Sequence, residues 1–128
     1  MTRRGQSPRR YPRMARVNEV VLEALANELE RLSDPRLGFV TLTGVNVTAD
    51  LREATVYYSV LGPSEQHEAT SQALRSAGSH LRTVLGRQVR MKYVPRLSFR
   101  EDPAVVTGQR VEEIIRDLHR EDGEEGPR

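Results

Sequence analysis

The segment from Val89 to Arg100 constrains the fold more than any other part of this chain. Val89, Met91, Tyr93, Pro95, Leu97 and Phe99 occupy odd positions, while Arg90, Lys92, Arg96 and Arg100 occupy even ones. Successive side chains on a strand point to opposite faces, so the pattern predicts a third strand with an apolar face and a basic face. Pro95 lacks an N–H, which places this strand at a sheet edge or bulges it there. Met91, Tyr93 and Phe99 are then core positions.

The remaining sequence supplies a sheet for that edge and a layer to cover it. Gly38 to Thr48 is strand-like: Val40 and Leu42 share one parity, Val45 and Val47 the other, and the slip at Thr43-Gly44 predicts a bulge. Asp50-Leu51-Arg52 turns the chain into a second strand, where Ala54, Val56, Tyr58 and Val60 alternate with Thr55, Tyr57 and Ser59. These two strands form an antiparallel hairpin. Ahead of them, Val17, Val20, Val21, Ala24, Leu25, Leu29 and Leu32 fall at helical spacing, with Glu19, Glu23 and Glu30 on the solvent side. That helix spans about Arg16 to Leu32 and ends at Ser33-Asp34-Pro35, because the residue before proline avoids helical angles. After Gly62-Pro63, with Ser64 as cap, a helix runs from about Glu65 to Ser76. Ala77, Gly78 and Ser79 predict a kink, and a second helical piece runs from His80 to about Leu85 and stops at Gly86. Leu74, Leu81, Val84 and Leu85 give the pair its apolar face. Asp102-Pro103 starts a last helix with a buried stripe of Val111, Ile114, Ile115 and Leu118.

The order helix, strand, strand, helix–kink–helix, strand, helix defines a two-layer α+β domain with a three-stranded sheet and helices on one face. This is the order of the type II KH fold, an RNA-binding architecture. The 128 residues fit one domain, expected over residues 14–119. Residues 1–13 form a disordered basic arm and residues 120–128 a flexible acidic tail. There is no cysteine, and no apolar stretch approaches the roughly 20 residues of a membrane helix. No apolar run follows the basic N-terminus. The expectation is a soluble, cytoplasmic, monomeric protein.

The net charge of +2 conceals a segregated pattern. Residues 1–16 carry six arginines and no acid; residues 17–68 carry nine acids against Arg31, Arg36 and Arg52. Residues 69–100 carry Arg75, Arg82, Arg87, Arg90, Lys92, Arg96 and Arg100, again with no acid. Such asymmetry points to a polyanionic partner on one side, or to a solubility pattern. Alternate strand residues lie roughly 6.7 Å apart on one face, a spacing that lets several cations engage a nucleic-acid strand together. Arg82, Arg87, Arg90, Lys92, Arg96 and Arg100 are therefore the candidate RNA contacts. Arg10, Arg13, Arg16, Arg36 and Arg75 are additional candidates, and Tyr57, projecting opposite to Val56 and Tyr58, is a candidate for base stacking. Catalysis finds no footing. His67, His80 and His119 share no metal-ligand spacing, Asp34 and Asp50 are turn residues, and no nucleophile elbow or phosphate-binding loop occurs. Asp50 and Glu53 form a carboxylate pair only on paper. No enzyme activity, cofactor or metal is expected.

In sequence order, Arg16-Val17 with Glu19, then Asp34-Pro35-Arg36-Leu37-Gly38 before Val40-Thr41 and Val45, resemble the ribosome-binding factor A family. So do Asp50-Leu51 before Ala54 and Val56-Tyr57, and Leu74 before Ala77, Leu81-Arg82 and Leu85-Gly86. Pro95 with Leu97, Phe99 and Asp102, then Gly108, Arg110 and Ile114, complete the ordered set, which covers about residues 13–118. The resemblance implies a KH-like fold, binding to 16S rRNA in the 30S small ribosomal subunit, and a non-catalytic role in its late assembly. It also implies a part in maturing the 5′ end of 16S rRNA and in growth at low temperature. The family shows Ala-x-Gly at the helix kink, whereas this chain has Ala77-Gly78-Ser79, with glycine one place early. A general single-strand RNA-binding KH module and a protein-interaction domain for an acidic partner are the competing readings.

Overall fold

The computed structural model describes residues 10–105, 112 and 114–118, with side chains from residue 13 onward. Helix α1 (Arg10–Arg31) leads through a short 3₁₀ turn (Pro35–Leu37) into strand β1 (Phe39–Val47). Strand β2 (Glu53–Leu61), helix α2 (Ser64–Gln88) and strand β3 (Arg96–Glu101) follow. The sheet order is β1-β2-β3, with β1 antiparallel and β3 parallel to the central β2. The parallel pair follows from the connection: α2 carries the chain back to the end of the sheet where β2 began. The domain is α+β, with a mixed three-stranded sheet and both long helices on one face.

The core lies between that face and the helices. Ala54, Val56, Tyr58 and Val60 of β2 are buried, while the intervening Thr55, Tyr57 and Ser59 are only half-buried. Against the buried row pack Val21, Ala24, Leu25 and Leu29 of α1 and Ala73, Leu74, Leu81 and Leu85 of α2. Each fully buried leucine contributes on the order of 2 kcal/mol. Val20, expected in the α1 stripe, is largely exposed. The predicted bulge is present: the β1–β2 register slips between Leu42 and Gly44, opposite Tyr58 and Tyr57. Thr43 at the slip donates to Asp102 Oδ2 at 2.7 Å, linking β1 to the residue that follows β3.

Several expectations are corrected. Helix α1 begins at Arg10 rather than Arg16, so the end of the expected arm is helical. Pro12 is tolerated there because first-turn N–H groups have no intrahelical partner. The rest of that arm, residues 1–9, and the tail, residues 120–128, lie outside the described residues. Helix α2 does not divide at Ala77, Gly78 and Ser79, nor stop at Gly86; it runs unbroken to Gln88. Thr70, Ala73, Leu74, Leu81, Val84 and Leu85 are buried in one continuous helical phase across the glycine, with Ala77 packed on the core between them. One glycine costs about 1 kcal/mol relative to alanine, too little to break so well anchored a helix. Pro63, not Ser64, holds the N-cap position, without a side-chain cap bond.

Strand β3 occupies only Arg96–Glu101, so Arg90 and Lys92 lie on a connecting segment rather than on the strand. Its partner explains why: β2 begins at Glu53, opposite Arg96, and leaves residues 89–95 no strand to pair with. Within that segment Met91 and Val94 are half-buried and Pro95 is buried, but Tyr93, expected in the core, is 38% exposed. Of the last helix, Asp102 caps the start through Oδ1, 2.9 Å from Ala104 N, and residues 103–105, 112 and 114–118 are helical. Ile114, Ile115 and Leu118 are about half exposed instead of buried (54%, 48% and 54%), since α1 and α2 already cover the sheet. Val111 lies outside the described residues.

Candidate nucleic-acid interface

The cations gather where the C-terminal half of α2, the 89–95 segment and the hairpin turn meet. An open groove of about 490 Å³ is lined there by Ser79, Arg82, Thr83, Gly86, Lys92, Tyr93 and Val94. Arg82 fixes its wall: Nε donates to Pro95 O at 3.1 Å and Nη2 to Val94 O at 2.9 Å. A guanidinium suits this task, because its rigid fork reaches two carbonyls at once. Gly86 allows the close approach of the segment, since a Cβ there would stand 3.1 Å from Val94 Cγ2.

The hairpin turn adds a cation that the sequence pattern left in the acidic block. Arg52 Cζ lies 4.0 Å from the centroid of the Tyr93 ring, and Lys92 Nζ lies 5.6 Å from it. Arg52 O accepts from Arg96 N at 2.9 Å, so Arg52 and Arg96 are neighbours across the parallel pair. The turn is held by Asp50, whose Oδ1 accepts from Thr48 Oγ1 at 2.7 Å and from Arg52 N at 3.1 Å. The Thr48 hydroxyl, then the Arg52 amide, hold the Asp50 carboxyl below its ordinary value. Leu51 adopts φ 63°, a left-handed conformation unusual for leucine, while its side chain packs on the core. The signal for Arg52 lay in the strand–helix–strand order: a parallel pair sets the two strand starts side by side.

The other predicted contacts are distributed unevenly. Arg82 and Lys92 share the groove, while Arg96 is bonded to Arg52 through the backbone and is exposed on the open sheet face, opposite Glu53. Arg75, Arg87 and Arg90 are exposed, the first two on α2 and the third on the connecting segment. Arg100 is exposed on the open sheet face, opposite Tyr57 in the β2–β3 register, with Ser98 opposite Thr55 on the same face. Arg13 and Arg16 are exposed on the first turns of α1, and the Arg10 side chain lies outside the described residues. Arg36 stands apart: its Nη2 is 2.7 Å from Asp34 Oδ2 in an ion pair, and its carbonyl accepts from Gln66 near the start of α2. Roughly 20 Å of helix separates Gln66 from the groove. A second hollow, near Arg36, has Glu30 and Asp34 in its lining, which would repel phosphate. Ala77 and Gly78 sit on α2 half-buried, while Ser79 faces the groove.

Among the described residues Arg36 is the one arginine in an ion pair. The other acidic partners are taken by histidines. His67 Nδ1 is 2.9 Å from Glu101 Oε1, and His80 Nε2 is 2.7 Å from the buried Glu28 carboxylate. These pairs join α2 to β3 and to α1. No group of three or more His, Cys, Asp or Glu among the described residues is placed to hold a metal ion.

The mixed sheet, the two helices on one face and the cation cluster at one end define a KH-like α+β domain with a basic surface. The family model for ribosome-binding factor A matches residues 13–115. A ribosome-binding factor A of Geobacter sulfurreducens is 37% identical over 114 residues, covering 88% of this chain and 97% of that protein. The solution structure of a Thermotoga maritima protein described as a ribosome-binding factor A is 34% identical with a TM-score of 0.66. It covers 77% of this chain and 92% of that one. A Thermus thermophilus ribosome-binding factor A, built by homology and fitted into a cryo-EM map of a 30S complex, is 34% identical with a TM-score of 0.56. It covers 66% of this chain and 89% of that one. The chain belongs to the ribosome-binding factor A family.

Proposed function

We propose that this protein binds the free 30S small ribosomal subunit through 16S rRNA and aids its late maturation, including 5′-end processing and growth at low temperature, without catalysing a reaction. The observation that carries the reading is the gathering of cations at one end of the domain: Arg82 and Lys92 line the groove, Arg52 stacks on the Tyr93 ring that lines it, Arg96 neighbours Arg52 through the backbone, and Arg87 and Arg90 stand exposed on the elements that form it. Exposed cations attract phosphate and release its counterions on binding. The Thermus relative fitted into a 30S complex supports the choice of partner. Binding would favour the RNA conformation that fits this surface and would delay subunit joining until that conformation changes. Sedimentation with purified subunits tests it: the protein should travel with free small subunits and not with joined ribosomes. Equal recovery with both, or with neither, overturns the reading.

A further inference from the structure

The groove has two parts of different chemistry. One is cationic and hydroxylic, with Lys92, Ser79 and Thr83 around the anchored Arg82. The other is a stacked pair, Arg52 upon Tyr93, which phosphate attraction alone does not require. Tyr93 is exposed although it follows two alternating apolar positions. Its surroundings hold it there: Met91 and Val94 pack on the core on either side, and Arg82 clamps the carbonyls of Val94 and Pro95. The Arg52 guanidinium is brought to the ring by a turn that keeps Leu51 in a left-handed conformation. A planar cation on an aromatic ring is a surface on which an unpaired base stacks, because every base has a π face.

We propose that Arg52 and Tyr93 form a stacking platform for one unpaired base of single-stranded RNA, while Lys92 takes an adjoining phosphate in the groove. The inference rests on the RNA-binding reading above and assigns the form of RNA: a single strand, since bases inside a duplex offer no free face. Arg82 acts as a positioning residue, holding the segment that carries Lys92 and Tyr93.

The test titrates the full-length protein with a short single-stranded oligoribonucleotide and with an abasic strand of the same length. The base-bearing strand is expected to bind roughly 5- to 150-fold tighter, the range that one stacked base supplies. Tyr93→Leu should reduce its affinity to that of the abasic strand without changing the salt dependence, because no charge is lost. Tyr93→Phe should retain the preference, and Lys92→Ala should weaken both strands alike and make the salt dependence shallower. Equal binding of the two strands by the unmodified protein, or undiminished preference in a folded Tyr93→Leu, overturns the platform. The same proteins are sedimented with small subunits. If subunit binding persists while both strands bind equally, the platform alone fails; if the unmodified protein binds neither strand nor subunit, the RNA reading fails with it.

Discussion

Gly38 shows how one residue sets the entry to the sheet. Its φ of +61° lies in the left-handed region, and a Cβ there would fall 2.5 Å from Gln66 Nε2. Gln66 is committed, donating to Arg36 O at 3.0 Å and to Thr70 Oγ1 at 2.9 Å, while the buried Thr70 hydroxyl donates to Leu37 O at 2.9 Å. Gly38→Ala should therefore destabilise the domain by about 1–3 kcal/mol, from backbone strain and a displaced Gln66. Urea unfolding would measure it. Asp102 makes a second residue-scale prediction. The Thr43 hydroxyl, then the Ala104 amide, hold its carboxyl below the ordinary 3.8. A carboxyl lowered in the folded state adds stability that is present above its unfolded value and lost as pH falls through the folded one. The chain should thus lose stability on acidification below 3.8, and Asp102→Asn should lessen that dependence; parallel melting curves from neutral pH downward compare the two.

Gly78 carries the corresponding argument for an element. It lies in an unbroken α2, its φ is ordinary, and nothing stands within 4 Å of the position a Cβ would take. Gly78→Ala should stabilise the protein by about 0.5–1 kcal/mol, through helix propensity alone, and raise the melting temperature. The hairpin was legible in the sequence because its alternation is local and its bulge is marked by a change of parity at Thr43-Gly44. Glycine at 78 misled because propensity is local, whereas the stripe from Thr70 to Leu85 that keeps the helix whole is anchored by the sheet and by α1. Alternation also overextended β3. Val89 and Met91 pack on the core from a non-strand segment, and a strand's length depends on its partner, which here begins at Glu53. The basic residues of the site were legible as a cluster, but Arg52 was not, because its place beside Tyr93 arises only when parallel pairing joins two distant segments.

At the scale of the whole molecule, the cations at 90, 92 and 96 are not the residues that hold the fold, unlike Arg82, which anchors the connecting segment, and this makes that part of the RNA surface separable from the core. Arg90, Lys92 and Arg96 are exposed, and the core contacts beside them come from Val89, Met91, Val94 and Leu97. Replacing the three cations with glutamate should leave the circular dichroism spectrum unchanged and lower the melting temperature only slightly, since the new carboxylate at 96 stands opposite Glu53. It should abolish sedimentation with small subunits, since each change removes a cation and sets an anion against phosphate. For the unmodified protein, the logarithm of affinity should fall with the logarithm of salt by about 0.7 to 0.9 per phosphate engaged. Single alanine changes at Arg90, Lys92 or Arg96 should each make that slope shallower by about one contact. Arg36→Ala serves as the internal control: its guanidinium is held on the Asp34 carboxylate, about 20 Å of helix away from the groove, and the slope should not move. Arg100→Ala reports on the open sheet face, where Arg100 stands opposite Tyr57. A shallower slope there would extend the RNA path from the groove across the sheet, and an unchanged slope would confine it to α2 and the 89–95 segment. A folded triple glutamate variant that still binds with the original slope would move the surface off the 89–96 cations, to others such as Arg13 and Arg16 on the first turns of α1.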